Sequence, residues 1–106
     1  MKLYSLHPEA FTDLDDIAAY IGQDSASAAL RLIDEICRAI EGLVSFPEQG
    51  FRRPNLSNRP QRFIVVRDYL IAYAPARKPR WIVAVMHGKR SPRTMASILR
   101  GRDERP

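Results

Sequence analysis

Cysteine and histidine are nearly missing from this chain of 106 residues: Cys37 is the single cysteine, and His7 and His87 are the two histidines. One cysteine excludes a disulfide and a thiolate metal cluster. Lying beside Ile36 and Ile40 in a helical pattern, Cys37 reads as a small buried apolar residue rather than a nucleophile. The acidic trio Asp13, Asp15 and Asp16 has no histidine or cysteine at ligand spacing, so it reads as a solvated helix face. No metal and no cofactor is therefore expected. Gly88-Lys89-Arg90-Ser91 lacks the spacing of a phosphate-binding loop, and no nucleophile elbow or Cys/His pair occurs. No apolar run approaches the roughly 20 residues of a membrane-spanning helix. The N-terminal MKLYSLHPE has no apolar core of the kind a secretory signal needs, so a cytoplasmic location is expected.

Acid is scarce in the second half. Residues 1–51 hold three cations (Lys2, Arg31, Arg38) against nine carboxylates, a balance of −6. Residues 52–106 hold fourteen Lys or Arg against Asp68, Asp103 and Glu104, a balance of +11. Such a split points to an anionic partner for the second half: nucleic acid, the ribosome or an acidic protein. The plainer reading is that basic surface aids solubility. With 45% hydrophobic and 27% charged residues, the chain fits a single globular domain over 1–106, ending in a charged tail at 101–106.

Taken in order, Lys2 to Leu6 is a short strand candidate, and Pro8 suits the first turn of a helix. Phe11, Leu14, Ile17, Ala18 and Ile21 then recur at helical spacing, with Gly22 as a stop. Asp24 or Ser25 caps a longer helix striped by Ala29, Ile33, Ile36, Ile40 and Leu43, which ends at Phe46-Pro47. The short link makes the two helices an antiparallel hairpin. Residues 47–61 carry three prolines, no periodicity and Arg52, Arg53 and Arg59, and read as a loop.

Phe63–Val66, Tyr69–Tyr73 and Trp81–His87 follow as three strands with short links, which forces a meander. Both faces of the last strand are apolar, with Trp81, Val83 and Val85 on one side and Ile82, Ala84 and Met86 on the other. The hairpin covers one face, so either the closing helix from Ser91-Pro92 to about Arg100 or a partner protein must cover the second. The expected class is α+β: an N-terminal strand, a helical hairpin packed on an antiparallel sheet, and a short C-terminal helix. A cluster of cations gathers at the sheet: Arg52, Arg53, Arg62, Arg67, Lys89, Arg90 and Arg93, with His87 the one side chain that titrates near neutrality. His87 with Arg or Lys could support metal-independent RNA cleavage. The cations could equally bind an acidic protein or a phosphate backbone, and His87 could simply be a strand-end histidine bonded to a carbonyl.

The order DLDDIAAYI, LVSFPEQG, an Arg-rich loop, FIVVRDYLIAYA and WIVAVMHGKRSP resembles the RelE/ParE superfamily of type II toxin–antitoxin toxins. Pro47-Glu48-Gln49-Gly50 before Arg52-Arg53, Tyr69-Leu70-Ile71 and His87-Gly88-Lys89-Arg90 look more like the ParE branch. The resemblance implies a bacterial toxin whose antitoxin wraps it with a C-terminal segment, commonly as a heterotetramer. On this basis Trp81, Val83, Val85, Met95 and Leu99 are expected to meet the antitoxin. Arg52, Arg53, Arg62, Arg67, His87, Lys89, Arg90 and Arg93 are expected to meet the target. For ParE-like members the target is DNA gyrase, poisoned without catalysis. For RelE-like members it is mRNA on the ribosome, where His87, Arg62, Arg67 and Arg90 would do the cutting. No tyrosine follows Tyr73, so the C-terminal aromatic of many nuclease members is absent.

Overall fold

A strand too short to finish its own pairing sets the architecture. The computed structural model describes residues 3–102; Lys2 of the expected first strand and residues 103–106 of the expected tail lie outside it. Strand β1 (Tyr4–Leu6) pairs parallel with the last strand, and the chain then turns at His7 into helix α1 (Pro8–Gly22). The His7 ring caps that helix, its Nδ1 accepting from the Glu9 N–H at 3.0 Å. Helix α2 (Ala26–Ser45) starts at Ser25, whose hydroxyl accepts from the Ala28 N–H at 3.1 Å, a cap worth about 1 kcal/mol. The remaining elements are β2 (Arg62–Val66), β3 (Tyr69–Ala74), β4 (Arg80–His87) and α3 (Pro92–Arg100). The sheet order is β1-β4-β3-β2. The meander is antiparallel as expected, while β1 makes the sheet mixed, with a strand–helix–helix crossover leading into it.

Two cores flank the sheet. On one face Leu14, Leu32, Ile36, Ile40 and Leu43 of the hairpin pack on Tyr69, Ile71, Tyr73, Ile82 and Val85. On the other, Met95 and Leu99 of α3 and Leu56 of the loop pack on Phe63, Leu70, Ala72, Trp81, Val83 and Met86. The chain therefore covers its second face itself. Of the two covers left open by the sequence, the closing helix is the one present, and the expectation of an open apolar sheet face is corrected. Trp81, Val83, Val85, Met95 and Leu99 are all buried.

Alternation along β4 also fails at one point. Tyr73 pairs with Ile82 and Ala72 with Ala84, so Val83 is an extra residue, a bulge. Beyond it the faces exchange: Trp81 and Val83 lie on the α3 side, whereas Val85 lies on the hairpin side.

The bulge sits where β1 has run out, and an ion pair takes over from the missing strand. The Val85 N–H donates to Asp13 Oδ2 at 2.9 Å, and the Val83 carbonyl accepts from Arg102 at 3.0 Å. Asp13 and Arg102 are joined by two bonds, of 2.6 and 3.0 Å. Their side chains are 18% and 10% exposed, so each shields the other where an unpaired charge would be costly. Two expectations change accordingly: Asp13 is not part of a solvated face, and Arg102, placed by the sequence in the charged tail, is an anchor.

Candidate functional site

The β2–β3 turn and the end of β4 meet at one end of the sheet, where Tyr69 pairs with His87 and the Gly88 N–H donates to the Asp68 carbonyl at 2.7 Å. Arg67 opens the two-residue turn with φ 53°, a left-handed conformation that costs a non-glycine residue roughly 1–2 kcal/mol. Its guanidinium holds Glu35 of α2 by two hydrogen bonds, the Nη2 bond at 2.8 Å. That hydrogen bond draws the Glu35 carboxyl below its ordinary value, with the Arg67 and Arg31 charges adding to the effect.

His87, Lys89, Arg53, Arg67 and Asp68 line an open pocket of about 300 Å³ at this end. The His87 Nδ1 accepts from the Lys89 N–H at 3.0 Å, so the neutral ring carries its proton on Nε2. The expected partner for a merely structural His87 was a carbonyl; here the ring is an acceptor instead. It stands edge-on to Tyr69, centroids 5.2 Å apart at 77°. Burial, followed by the Asp68 charge, pushes the Tyr69 phenol up.

The expected target residues do not all gather here. Arg62 lies at the opposite end of β2, about 17 Å from Arg67 by strand rise, and its Nη1 donates to the Gly50 carbonyl at 2.7 Å. Arg53 reaches the pocket and bonds Asn55 at 3.4 Å. Arg52, Lys89, Arg90 and Arg93 are exposed and make no ion pair among the described residues. Of the four residues a nuclease would need, His87 and Arg90 lie near one another in the chain, Arg67 is engaged with Glu35, and Arg62 is remote.

Residues 4–92 match the family described as "ParE toxin of type II toxin-antitoxin system, parDE". The chain belongs to the ParE toxin family. It is also similar to a curated relative from Sinorhizobium fredii (strain NBRC 101917 / NGR234) carrying the name "Putative toxin Y4kP": 36% identical over 80 residues, 74% of this chain and 79% of the relative. The ParE assignment makes this chain the toxin of a toxin–antitoxin system, with an antitoxin as its partner. No helix among the described residues is long and apolar enough to cross a membrane.

Within this ParE-family chain the Pro47–Gly50 segment is held by the sheet. The Tyr73 hydroxyl donates to the Pro47 carbonyl at 2.6 Å and accepts from the Gly50 N–H at 3.0 Å. A Cβ on Gly50 would lie 2.6 Å from that hydroxyl and 2.7 Å from the Phe63 carbonyl, so glycine is required by the close approach. Burial pushes the Tyr73 phenol up, partly offset by the Gly50 bond.

Three arginines with structural duties were not distinguishable from the rest by composition. Arg80 donates to the Leu43 and Val44 carbonyls, closing α2, whose own last turn has no basic residue. Arg59 donates to the Leu99, Arg100 and Arg102 carbonyls, closing α3. Arg102 pairs with Asp13. The missing cation at the end of α2 does not mark the need for a distant arginine, since the last turn of α1 lacks one as well.

Proposed function

We propose that this toxin arrests growth by poisoning DNA gyrase without catalysing a reaction of its own, and that its antitoxin blocks this by binding in a heterotetramer. The observation that carries the choice is the dispersal of the nuclease candidates. Metal-independent RNA cleavage needs an acid, a base and positive charge converging on one phosphate. Here Arg62 is bonded to Gly50 at the far end of β2, Arg67 is held by Glu35, and the other histidine, His7, caps α1. Family membership in the ParE branch supports the same reading. His87, Lys89, Arg90, Arg93, Arg52 and Arg53 are then contact residues for the target.

The antitoxin's contact needs a different surface from the one expected. Trp81, Val83, Val85, Met95 and Leu99 are closed off within the chain, those on the α3 side by α3 itself. This reading therefore assigns the antitoxin's first contact to the exposed apolar side chains of the hairpin, Phe11, Tyr20 and Leu30. Expression without antitoxin tests the target. DNA-damage induction with filamentation, and gyrase–DNA cleavage complexes with purified components, are expected. Rapid translation arrest with cut transcripts would replace this reading with the ribosome-dependent endonuclease.

A further inference from the structure

From Tyr69 to Arg102 the chain contains no carboxylate; the next acids are Asp103 and Glu104. Eight cations lie in that span; Arg77 and Lys78 sit in the β3–β4 turn, and the structure separates the other six into two groups. Arg80 and Arg102 are spent on backbone carbonyls and on Asp13. Lys89, Arg90, Arg93 and Arg100 are exposed and make no ion pair among the described residues.

These four fall on one continuous segment, the turn before α3 and α3 itself. Lys89 and Arg90 occupy the turn that leads into α3, and Arg93, Ser97 and Arg100 recur at i, i+4 and i+7 along its outer face. Arg93 and Arg100 are thus about 10 Å apart along the axis. The helix below cannot roll away from this orientation, because Met95 and Leu99 are buried on its inner side and Arg59 grips its last carbonyls. Between the cations lie Ser91, Thr94 and Ser97, all exposed hydroxyl residues, and Gly88.

What is absent from this surface decides its partner. Protein interfaces are anchored by large apolar or aromatic side chains at their centre. The exposed large hydrophobics of the described residues are Leu3, Phe11, Tyr20, Leu30, Phe46, Phe51 and Val65, none of which lies in residues 88–102. Lysine, arginine, serine, threonine and bare backbone are the groups that contact phosphate oxygens.

We propose that the outer face of α3 and the turn before it, through Lys89, Arg90, Arg93 and Arg100, bind the phosphodiester backbone of duplex DNA. The choice of DNA rests on the gyrase reading, in which the toxin acts where DNA is held; the phosphate chemistry rests on the surface alone. In this arrangement the toxin touches both components of the gyrase–DNA complex. Arg52, Arg53 and His87 remain for the protein component, the hairpin's apolar residues remain for the antitoxin, and the cationic face adds sequence-independent attraction to the DNA.

The test is binding of the purified full chain to a short duplex DNA, without gyrase, across a series of salt concentrations. Four phosphate contacts give a log–log slope of about −3.6, and neutralising two cations flattens it by about 1.8. The double variant Arg90→Gln/Arg93→Gln is expected to show that loss. Arg31→Gln/Lys78→Gln, which removes two exposed cations elsewhere, is expected to keep most of the slope. Circular dichroism checks that both variants fold. Absence of salt-dependent binding, equal loss in both double variants, or equally tight binding of poly-glutamate would overturn the proposal. So would a preference for an RNA hairpin over duplex DNA. The gyrase reading is scored separately, by cleavage complexes: complexes without DNA binding sink this surface alone, and DNA binding without complexes sinks the gyrase reading alone.

Discussion

A fifteen-residue and a twenty-residue helix cover one face of the sheet, whereas the nine-residue α3 and one loop residue, Leu56, anchor the cover of the other. The hairpin face closes by apolar area: Ile36, Ile40 and Leu43 are fully buried in a continuous stripe. A helix as short as α3 has little area to offer and is marginal in isolation. Its position depends on charged side chains aimed at carbonyls, Arg59 at its C-terminal end and Arg102 across to Asp13 and β4. Where area is limited, directed charge-assisted bonds substitute for it. The consequence for function is that basic residues in this chain fall into two classes that look identical in sequence: those that hold the fold and those that face a partner.

The largest test of that division is Arg102→Ala. It leaves Asp13 without its counter-charge and the Val83 carbonyl without a donor, and an expected loss of about 3 kcal/mol is read by urea denaturation. Combining it with Asp13→Ala should cost less than the sum of the two single changes; strict additivity would mean the pair is not coupled. Arg59→Ala comes next. It removes a donor from the Leu99 and Arg100 carbonyls of α3 and the Arg102 carbonyl just past it, with an expected loss of about 2 kcal/mol and faster hydrogen exchange confined to α3. Exchange unchanged in α3 would show that Met95 and Leu99 hold the helix without it.

Arg90→Ala sharpens the contrast from the other side. This exposed residue should change stability by no more than about 0.5 kcal/mol while weakening toxicity in cells. A clear drop in melting temperature would move Arg90 into the structural class. The smallest effect belongs to Glu35 and Arg67, whose side chains are 40% and 66% exposed. Because Arg67 lowers the Glu35 pKa from its ordinary value of 4.5, the pair's contribution is present above that value and disappears as pH falls through the folded value. The melting-temperature gap between the wild type and Glu35→Gln should therefore narrow on acidification, and added salt should narrow it too. A gap that widens in acid would contradict this.

Much of the fold was legible because it depends on local periodicity. The stripe of α2, the caps at Ser25 and Ser91, and the short links of the meander are properties of neighbouring residues. Val85 was assigned to the wrong face because strict alternation has no means of registering the bulge at Val83. Asp13 and Arg102 were misread as solvated for a related reason: they are 89 residues apart, and each looks like surface until the other is in place. The candidate site was legible in type and only partly in place. His87 and the cations after it do stand at a sheet end, but Arg62, which opens β2, and Arg67, which follows its last residue, stand at opposite ends of that strand and are both engaged.

The amino-acid sequence by itself determined the class of element at each stretch, the uneven division of charge and the family resemblance, since each follows from composition and short-range spacing. Only the tertiary structure decided that α3 closes the sheet and which arginines are spent in closing it. Hydrogen bonds to distant carbonyls depend on where the backbone ends up, and an arginine carries the same charge in sequence whether it meets a carbonyl, a carboxylate or solvent.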